Sequence, residues 1–499
     1  MKLFLSKSRY CNAVQCPKML WLKTYRPELF DTSVMNETVL NTGNEVGDLA
    51  MGLFGDYTEV TEYRDGYIDI AAMLKRTEEE LHKGTEVICE ASFSYDGNYC
   101  AVDILRNYGD NNVEIYEVKS STSVHDIYID DASYQNVILS GLGYHVKGVY
   151  IVHIDNSYVR HGELELDKLF KISDITDIVR GKDEEVRQYI HFLQGYIAEE
   201  EEPQKDISPA CFSPYACGFY PYCSRNLPVP NVFDIAALQK KTAFRLYQNG
   251  IVSFEDIYRK KAVRGSCMIQ VEHELKNAEA YIDKAYIREF MDTLSYPLYF
   301  LDFESCQFAI PPYENTRPYQ QITFQYSLHY IEYEGGPLMH KEFLAYPAGD
   351  PRRSVAEALC RDIPLNVCVT AYNMSFEKGR IREMAELYPD KAEHLMNIHD
   401  HIKDLMVPFQ KKKYYCRDMQ GSYSIKYVLP ALFPKDPSLD YHNLEGVHRG
   451  DEASAAFVHM QDMDKEELEE WRGYLLKYCQ LDTYAMVKIW EKLKEVSAL

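Results

Sequence analysis

Two patterns in this chain gather carboxylates where a divalent cation would bind. In CAVDILRN and VEIYEVKSS, Asp103 precedes a polar turn (YGDNN), and Glu117 and Lys119 follow it two residues apart. Residues i and i+2 of a strand point the same way, so a hairpin across that turn sets Asp103 beside both. Two converging carboxylates hold a cation, while the lysine orients a water or neutralises charge developing on a phosphate. Glu90, in the preceding run EVICEASF, adds a further carboxylate. The second pattern opens at YFLDFES, where Asp302 and Glu304 share a strand face. In KYCQLDTYAMVKI, Tyr478 and Asp482 are four apart and share a helix face. Between them lie Asn373 and Glu377 in TAYNMSFEKGRI and Asp404 in HIKDLMVPF. Three or four such acids hold two cations and a phenol orients the attacking water, as two-metal phosphodiester hydrolysis requires. Mg2+ or Mn2+ is the expected ion. A bare D-x-E or E-x-K is commonly a solvated strand face; here both stand as polar exceptions in apolar strands.

A third constellation is built from thiols. Cys211, Cys217 and Cys223 in CFSPYACGFYPYC follow a C-x5-C-x5-C spacing, and Cys16 precedes Pro17 far upstream. Four thiolates ligate zinc or a [4Fe–4S] cluster, and spacing alone leaves both open. Cys11 competes with Cys16 as the fourth ligand. Thirteen cysteines, an odd number, argue against a disulfide framework. Cys89, Cys100, Cys267, Cys306, Cys360 and Cys368 sit singly in apolar or mixed stretches and read as ordinary thiols.

The elements that must position these groups are α/β throughout. EVICEASF, NYCAVDILRN, NVEIYEVKSS and VKGVYIVHID read as strands, alternating with helical SYQNVILSGLG and DEEVRQYIHFLQGYIAEE. In the last block YFLDFES, ITFQYSLHYIEY and KEFLAYP read as successive strands, VCVTAYN as a fourth, and SVAEALCRDI, SFEKGRIREMAELYP and the long C-terminal run as helices. Seams at the acidic run AEEEEPQKD and near residue 290 divide the chain into 1–225, a helical module 226–290 with Gly250 at a turn, and 291–499. RKKAVR in that module and the KKK at 411–413 are candidate phosphate contacts.

The D…E-x-K arrangement resembles the RecB-like branch of the PD-(D/E)XK nucleases. The resemblance implies a restriction-endonuclease-like mixed sheet with Asp103, Glu117 and Lys119 as the metal-dependent core, and it matches Tyr134-Gln135 to a Gln-bearing helix, with Gln135 positioning substrate or water. The early helix segment LNTGNEVGDLAMGLFG carries Glu45 and Asp48 where such enzymes often carry His or Glu. The resemblance also favours iron–sulfur over zinc, the four cysteines tying together the two ends of the domain. The D-x-E…Y-x-x-x-D pattern resembles the DnaQ-like, RNase H-fold exonucleases of the DEDD type, in their Tyr-bearing subclass. By that resemblance Asp302, Glu304 and Asp482 are metal ligands, Glu377 stands where Asp is usual with Asp404 as a substitute or supporting ligand, Tyr478 orients water, and Lys426 of GSYSIKYVLPAL meets phosphate. The middle module resembles a helix-hairpin-helix. Together these imply a bacterial fused nuclease acting on DNA ends or single strands, with RNA open, in repair, recombination or defence against foreign DNA. The competing class is a non-catalytic nucleic-acid-binding or assembly subunit.

The chain's 499 residues exceed one ordinary core. Its 54 Lys+Arg against 77 Asp+Glu give a net charge of −23, which excludes a polycation that coats nucleic acid. Any grip on a polyanion must be local or cation-mediated. No run of 18 apolar residues spans a membrane, and MKLFLSKSRYCNAVQCPKM lacks the apolar core of a leader. The expected location is the cytoplasm.

Overall fold

A computed structural model describes residues 4–35 and 37–498; Met1–Leu3, where the stretch read for a leader begins, Asn36 and Leu499 lie outside the described residues. The chain divides into two compact units, one of residues 1–226 with 308–319, the other of residues 227–307 with 320–499.

In the first unit, the strand Val87–Tyr95 turns back through Asp96 and Gly97, both at positive φ, directly into Asn98–Asn107. A two-residue turn of that handedness matches the twist of the paired strands. Asn98–Asn107 then pairs antiparallel with Asn112–Lys119, which pairs parallel with His145–Ile154, and the edge strand Phe170–Asp174 closes antiparallel. The parallel step is made by the helix Asp126–Gly141, whose face from Asp131 to Leu139 is buried. Leu5–Ser6 joins Asn98–Asn107 in parallel and leads into the helix Lys7–Gln15, N-capped by Ser6.

The second unit holds a five-stranded sheet in the order Met339–Leu344, Ile322–Ile331, Leu298–Cys306, Cys368–Ala371, Ile402–Asp404, antiparallel across the first three strands and parallel across the last three. Ile322–Ile331 is buried on both faces. Phe324, Tyr326 and Leu328 alternate with Gln325, Ser327 and His329, so one face is apolar and the other polar. Tyr326 donates to Asp362 of the helix Arg352–Asp362 (2.6 Å), while the polar face meets the long C-terminal helix Lys465–Ala498. By register Asp302 lies opposite Ser327 and Glu304 opposite Gln325, which extends that polar face under the same helix.

Both units are therefore mixed α/β, as expected. The expected three segments resolve into two units. The helical module (Lys240–Gln248, Phe254–Lys260, Ser266–Lys276) turns at Gly250, φ 68°, as its sequence implies. It joins the second unit because the two-residue strand Tyr281–Ile282 pairs with Tyr414–Tyr415, and Ile287 enters the core formed with Phe409, Leu481 and Ile489. Among the described residues no helix is long and apolar enough to cross a membrane.

Candidate metal centres

In the second unit, the strand Leu298–Cys306 carries Asp302 and Glu304 toward the C-terminal helix, which supplies Tyr478 and Asp482 one turn apart. A ligand atom from each of Asp302, Glu304 and Cys479 lies within 4.8 Å of the others. The Cys479 thiol faces the Asp302 carboxylate at 3.9 Å. Tyr441 donates to Asp482 Oδ1 at 2.6 Å. The helix Gly450–His459 starts against the cluster, and a side chain at Gly450 would come 3.8 Å from Glu304 Oε2 and 3.9 Å from the Tyr478 hydroxyl.

Burial, then the neighbouring carboxylates Asp482, Glu304 and Glu377, pushes Asp302 well above the usual carboxylate range, and burial with Asp482 does the same to Glu304. Burial raises Asp482 to about 7 despite the Tyr441 hydrogen bond and the charge of Lys426. Glu377, 2% exposed at the start of the helix Ser375–Leu387, is pushed to about 8 by burial and then by Asp404. Its Oε2 is buried without a hydrogen-bond partner. Burial and the charges of Asp482, Glu304 and Asp302 hold the Tyr478 phenol protonated. Lys426, exposed, is the cation that acts on Glu304 and Asp482. Buried carboxylates short of counter-charge, one with an orphaned oxygen, fit a divalent cation.

Asp404 has a different occupation. Its carboxylate accepts the backbone N–H groups of Asn373 (3.0 Å), Met374 (3.2 Å) and Met406 (2.9 Å). It thereby holds the turn at Asn373, φ 75°, that launches the Glu377 helix. That position makes Asp404 a bracket for Glu377, its oxygens already committed to backbone donors.

The first unit gathers a second cluster. Lys119 Nζ donates to Glu117 (2.5 Å) and to Asp131 (2.9 Å), and Gln135 Nε2 donates to Glu117 (2.6 Å) and Asp131 (3.2 Å). Lys7, from the first helix, bridges Asp103 (3.2 Å) and Glu117 (2.9 Å). Asp103 also accepts the Val118 N–H at 2.7 Å. Burial opposes ionisation of Glu117, yet the Lys119 and Lys7 ammoniums hold it far below the usual range. Burial and Glu117 raise Asp131 to about 6; burial and Asp103 raise Glu90, at φ 56°, to about 7. Gln135 Oε1 is buried without a partner. Asp103, Glu117, Lys119 and Gln135 thus converge. Glu45 and Asp48 are exposed, while Val46 and Ala50 of their helix pack into the core with Val118. Lys7 and Asp131 escaped the sequence reading. Asp131 stands four residues before Gln135 on one helix face, a readable signal, whereas Lys7 has none.

Cys16, Cys211, Cys217 and Cys223 line one cavity beneath Met19 and Phe219. Gln15 Nε2 donates to the carbonyls of Ala210 and Tyr215, both at 2.7 Å, and ties the cysteine loop to the first helix. Cys11 does not line that cavity: it is half-buried near Asp131, Lys119 and Glu117, and desolvation there raises its thiol. Among the described residues no three cysteine sulfurs come within 4.8 Å of one another.

The lysine run 411–413 serves structure. Lys412, 4% exposed, donates to the Gly421 carbonyl, Lys413 pairs with Asp283 (2.8 Å), and Lys411 lies over the Tyr286 ring.

Residues 299–424 match a family described as a domain of unknown function (DUF2779). That stretch contains Asp302, Glu304, Glu377 and Asp404 and ends before Lys426, Tyr478 and Asp482. Over 182 residues the chain is 28% identical to the uncharacterized protein UU173 of Ureaplasma parvum, 34% of this chain and 26% of that one. Over 209 residues it is 27% identical to the uncharacterized protein MG366 of Mycoplasma genitalium, 38% of this chain and 31% of that one. The matched part of the chain thus spans between a quarter and a third of the curated relatives' length.

Proposed function

We propose that this chain is a metal-dependent nuclease, a phosphodiester hydrolase whose principal centre is Asp302, Glu304, Glu377 and Asp482 with Tyr478. The observation that carries the reading is the concentration of buried carboxylates under the C-terminal helix, with an exposed lysine as their counter-charge and an orphaned oxygen on Glu377. Mg2+ or Mn2+ bound there would supply Lewis-acid polarisation and an activated water. Around it, Tyr441 fixes the Asp482 carboxylate, the Tyr478 phenol stays protonated to orient water by donation, and Asp404 fixes the helix that delivers Glu377. Lys426, exposed beside the acids, meets the scissile phosphate. The reading takes this unit as RNase H-like and the first unit as RecB-like. The substrate is nucleic acid, DNA ends or single strands ahead of RNA, in repair, recombination or defence. The four cysteines, which line one cavity, hold a [4Fe–4S] cluster in preference to zinc, as the resemblance to RecB-like nucleases implies.

One observation favours a second reading for the first unit. The Lys7 ammonium bridges Asp103 and Glu117, the two acids a cation would share. A centre neutralised from within grips a phosphate through Lys7 and Lys119 and acts as a binding platform unless a cation displaces Lys7.

The test is degradation of end-labelled single- and double-stranded DNA and RNA in Mg2+ or Mn2+ by wild type, Lys119→Ala, Asp302→Ala and the double variant. Loss of hydrolysis in Asp302→Ala with weakened binding alone in Lys119→Ala supports one active centre and one platform. Loss in both single variants makes both centres hydrolytic. Equal rates in all four proteins refute the assignment.

A further inference from the structure

The C-terminal helix brings a thiol to the acidic centre as well as a phenol and a carboxylate. Cys479 stands three residues before Asp482, so the two share a helix face one turn apart. It is fully buried, with Sγ 3.9 Å from the Asp302 carboxylate and 3.9 Å from the Asp302 carbonyl oxygen. An S–H donor is weak, so such contacts do little to occupy the sulfur. Among the described residues, Asp302, Glu304 and Cys479 are the one group of three or more His, Cys, Asp or Glu side chains whose ligand atoms all lie within 4.8 Å of one another. Asp482, the ligand expected from this helix, falls outside that group, and its Oδ1 is held by Tyr441 at 2.6 Å.

The spacing suits a shared cation. A tetrahedral ion with sulfur at about 2.3 Å and oxygen at about 2.1 Å sets the two ligand atoms about 3.6 Å apart. The 3.9 Å between Cys479 Sγ and Asp302 Oδ2 needs only a small closure to match. A second observation points the same way. Glu377 is 2% exposed, acts by charge on both Asp302 and Glu304, and keeps Oε2 without a hydrogen-bond partner. A buried carboxylate oxygen left open beside three converged donors asks for a cation.

The donor set decides which cation. Carboxylates alone suit Mg2+ and Mn2+, whereas a thiolate adds affinity for Zn2+ or Co2+ and adds none for Mg2+. A coordinating thiol is deprotonated outright: the metal–sulfur bond forms, the S–H bond breaks, the proton goes to water, and nothing is oxidised. We propose that Cys479 is a metal ligand, its thiolate joining Asp302 and Glu304 on one cation, and that it gives this centre a preference for Zn2+ or Co2+ over Mg2+. A hard ion binds through the carboxylates and leaves the thiol protonated; a thiophilic ion takes all three donors. The proposal rests on the reading that these acids bind a cation, and it holds whether or not they cleave.

The experiment follows metal exchange on the full-length protein. Mn2+ is loaded, free Mn2+ is read by electron paramagnetic resonance, and Co2+ or Mg2+ is added to wild type, Cys479→Ser and Asp302→Asn. In wild type, Co2+ is expected to release Mn2+ while a sulfur-to-cobalt charge-transfer band grows in the near ultraviolet. That band is expected to be larger than in Cys479→Ser, a subtraction that removes any contribution from Cys16, Cys211, Cys217 and Cys223. Cys479→Ser is expected to yield Mn2+ to Mg2+ as wild type does but to need at least about tenfold more Co2+, since even an outer-shell partner is worth that much. Cys479→Ala, read the same way, guards against a serine variant that does not fold. An equal band in wild type and variant, or unchanged exchange with Co2+, overturns the proposal while Mn2+ binding leaves the acidic centre standing. Absence of Mn2+ binding, or a Mn2+ stoichiometry unchanged in Asp302→Asn, overturns both.

Discussion

Glu377→Gln reverses the usual expectation for a buried polar substitution. In the metal-free protein the Glu377 carboxyl titrates near 8 against an ordinary 4.5. A group whose pKa is raised by folding binds more protons folded than unfolded, so stability falls as pH rises across that interval. The stabilising proton is fully held near pH 4.5 and lost by about pH 8. At 1.36 kcal/mol per pH unit, the rise from 4.5 to about 8 sets a ceiling of about 5 kcal/mol lost across that window. A glutamine cannot ionise. Glu377→Gln is therefore expected to flatten the slope in EDTA and to be more stable than wild type at pH 8 by a few kcal/mol, within that ceiling. The assay is urea unfolding at pH 5, 6.5 and 8 in EDTA, followed by the same series in Mn2+. A cation relieves the ionised wild-type cluster, so Mn2+ raises the wild-type midpoint at pH 8 and raises that of Glu377→Gln less. Binding also releases protons held by Asp482 and Glu377 at pH 7, readable by calorimetry in buffers of different ionisation enthalpy. Equal pH slopes for the two proteins in EDTA, or a variant less stable than wild type at pH 8, would refute the reasoning.

Lys7→Met leaves Asp103 and Glu117 facing one another, so it is expected to cost about 3–5 kcal/mol in EDTA and to raise Mn2+ affinity at that centre, measured by electron paramagnetic resonance titration. Unchanged affinity would mean the ammonium does not compete with a cation. Tyr478→Phe keeps the ring and removes the hydroxyl; hydrolysis is expected to fall roughly 10²-fold with Mn2+ affinity retained, in a paired rate and binding measurement. Cys16→Ser is expected to abolish absorbance near about 400 nm from a [4Fe–4S] cluster, while Cys11→Ser, outside the lining of the cysteine cavity, leaves it intact.

What sequence could read was whatever repeats at short range. The two-residue period put Asp302 with Glu304 and Glu117 with Lys119, and the four-residue helical step put Tyr478 with Asp482 and would have put Asp131 with Gln135. The hairpin turn predicted between Asp103 and Glu117 forms, because polar YGDNN allows the positive φ found at Gly109, Asp110 and Asn111. What it could not read was set by closure of the chain. Lys7 reaches Glu117 across 110 positions, and nothing near Lys7 marks it. Tyr441 and Gly450 lie in loops and helix starts whose sequence gives no period. The resemblance offered Asp404 as a substitute or supporting ligand, and only the fold reveals three backbone donors converging on it. The seam near residue 226 coincides with a unit boundary, whereas the one near 290 does not, because two strands of two residues each are too short to announce their pairing.

The two acidic clusters use opposite solutions to one problem, and on the proposed function this sets how a chain of net charge −23 would meet a polyanion. In the first unit the protein supplies its own cations. Two lysines sit among Asp103, Glu117 and Asp131, and the cluster is close to neutral with no ion added. In the second, Asp302, Glu304, Glu377 and Asp482 hold protons in place of charge until a cation arrives, because burial forbids four free carboxylates. The lysines of 411–413, which a surface count would assign to phosphate binding, are largely spent on Gly421, Asp283 and Tyr286. On the proposed nuclease reading, a polyanionic strand would meet Lys7 and Lys119 in one unit, and Lys426 with the cation-loaded acids in the other. If only these groups engage the strand, affinity should fall gently with salt and steeply with chelation at the second centre. A protein that bound through a diffuse basic surface would behave the other way round.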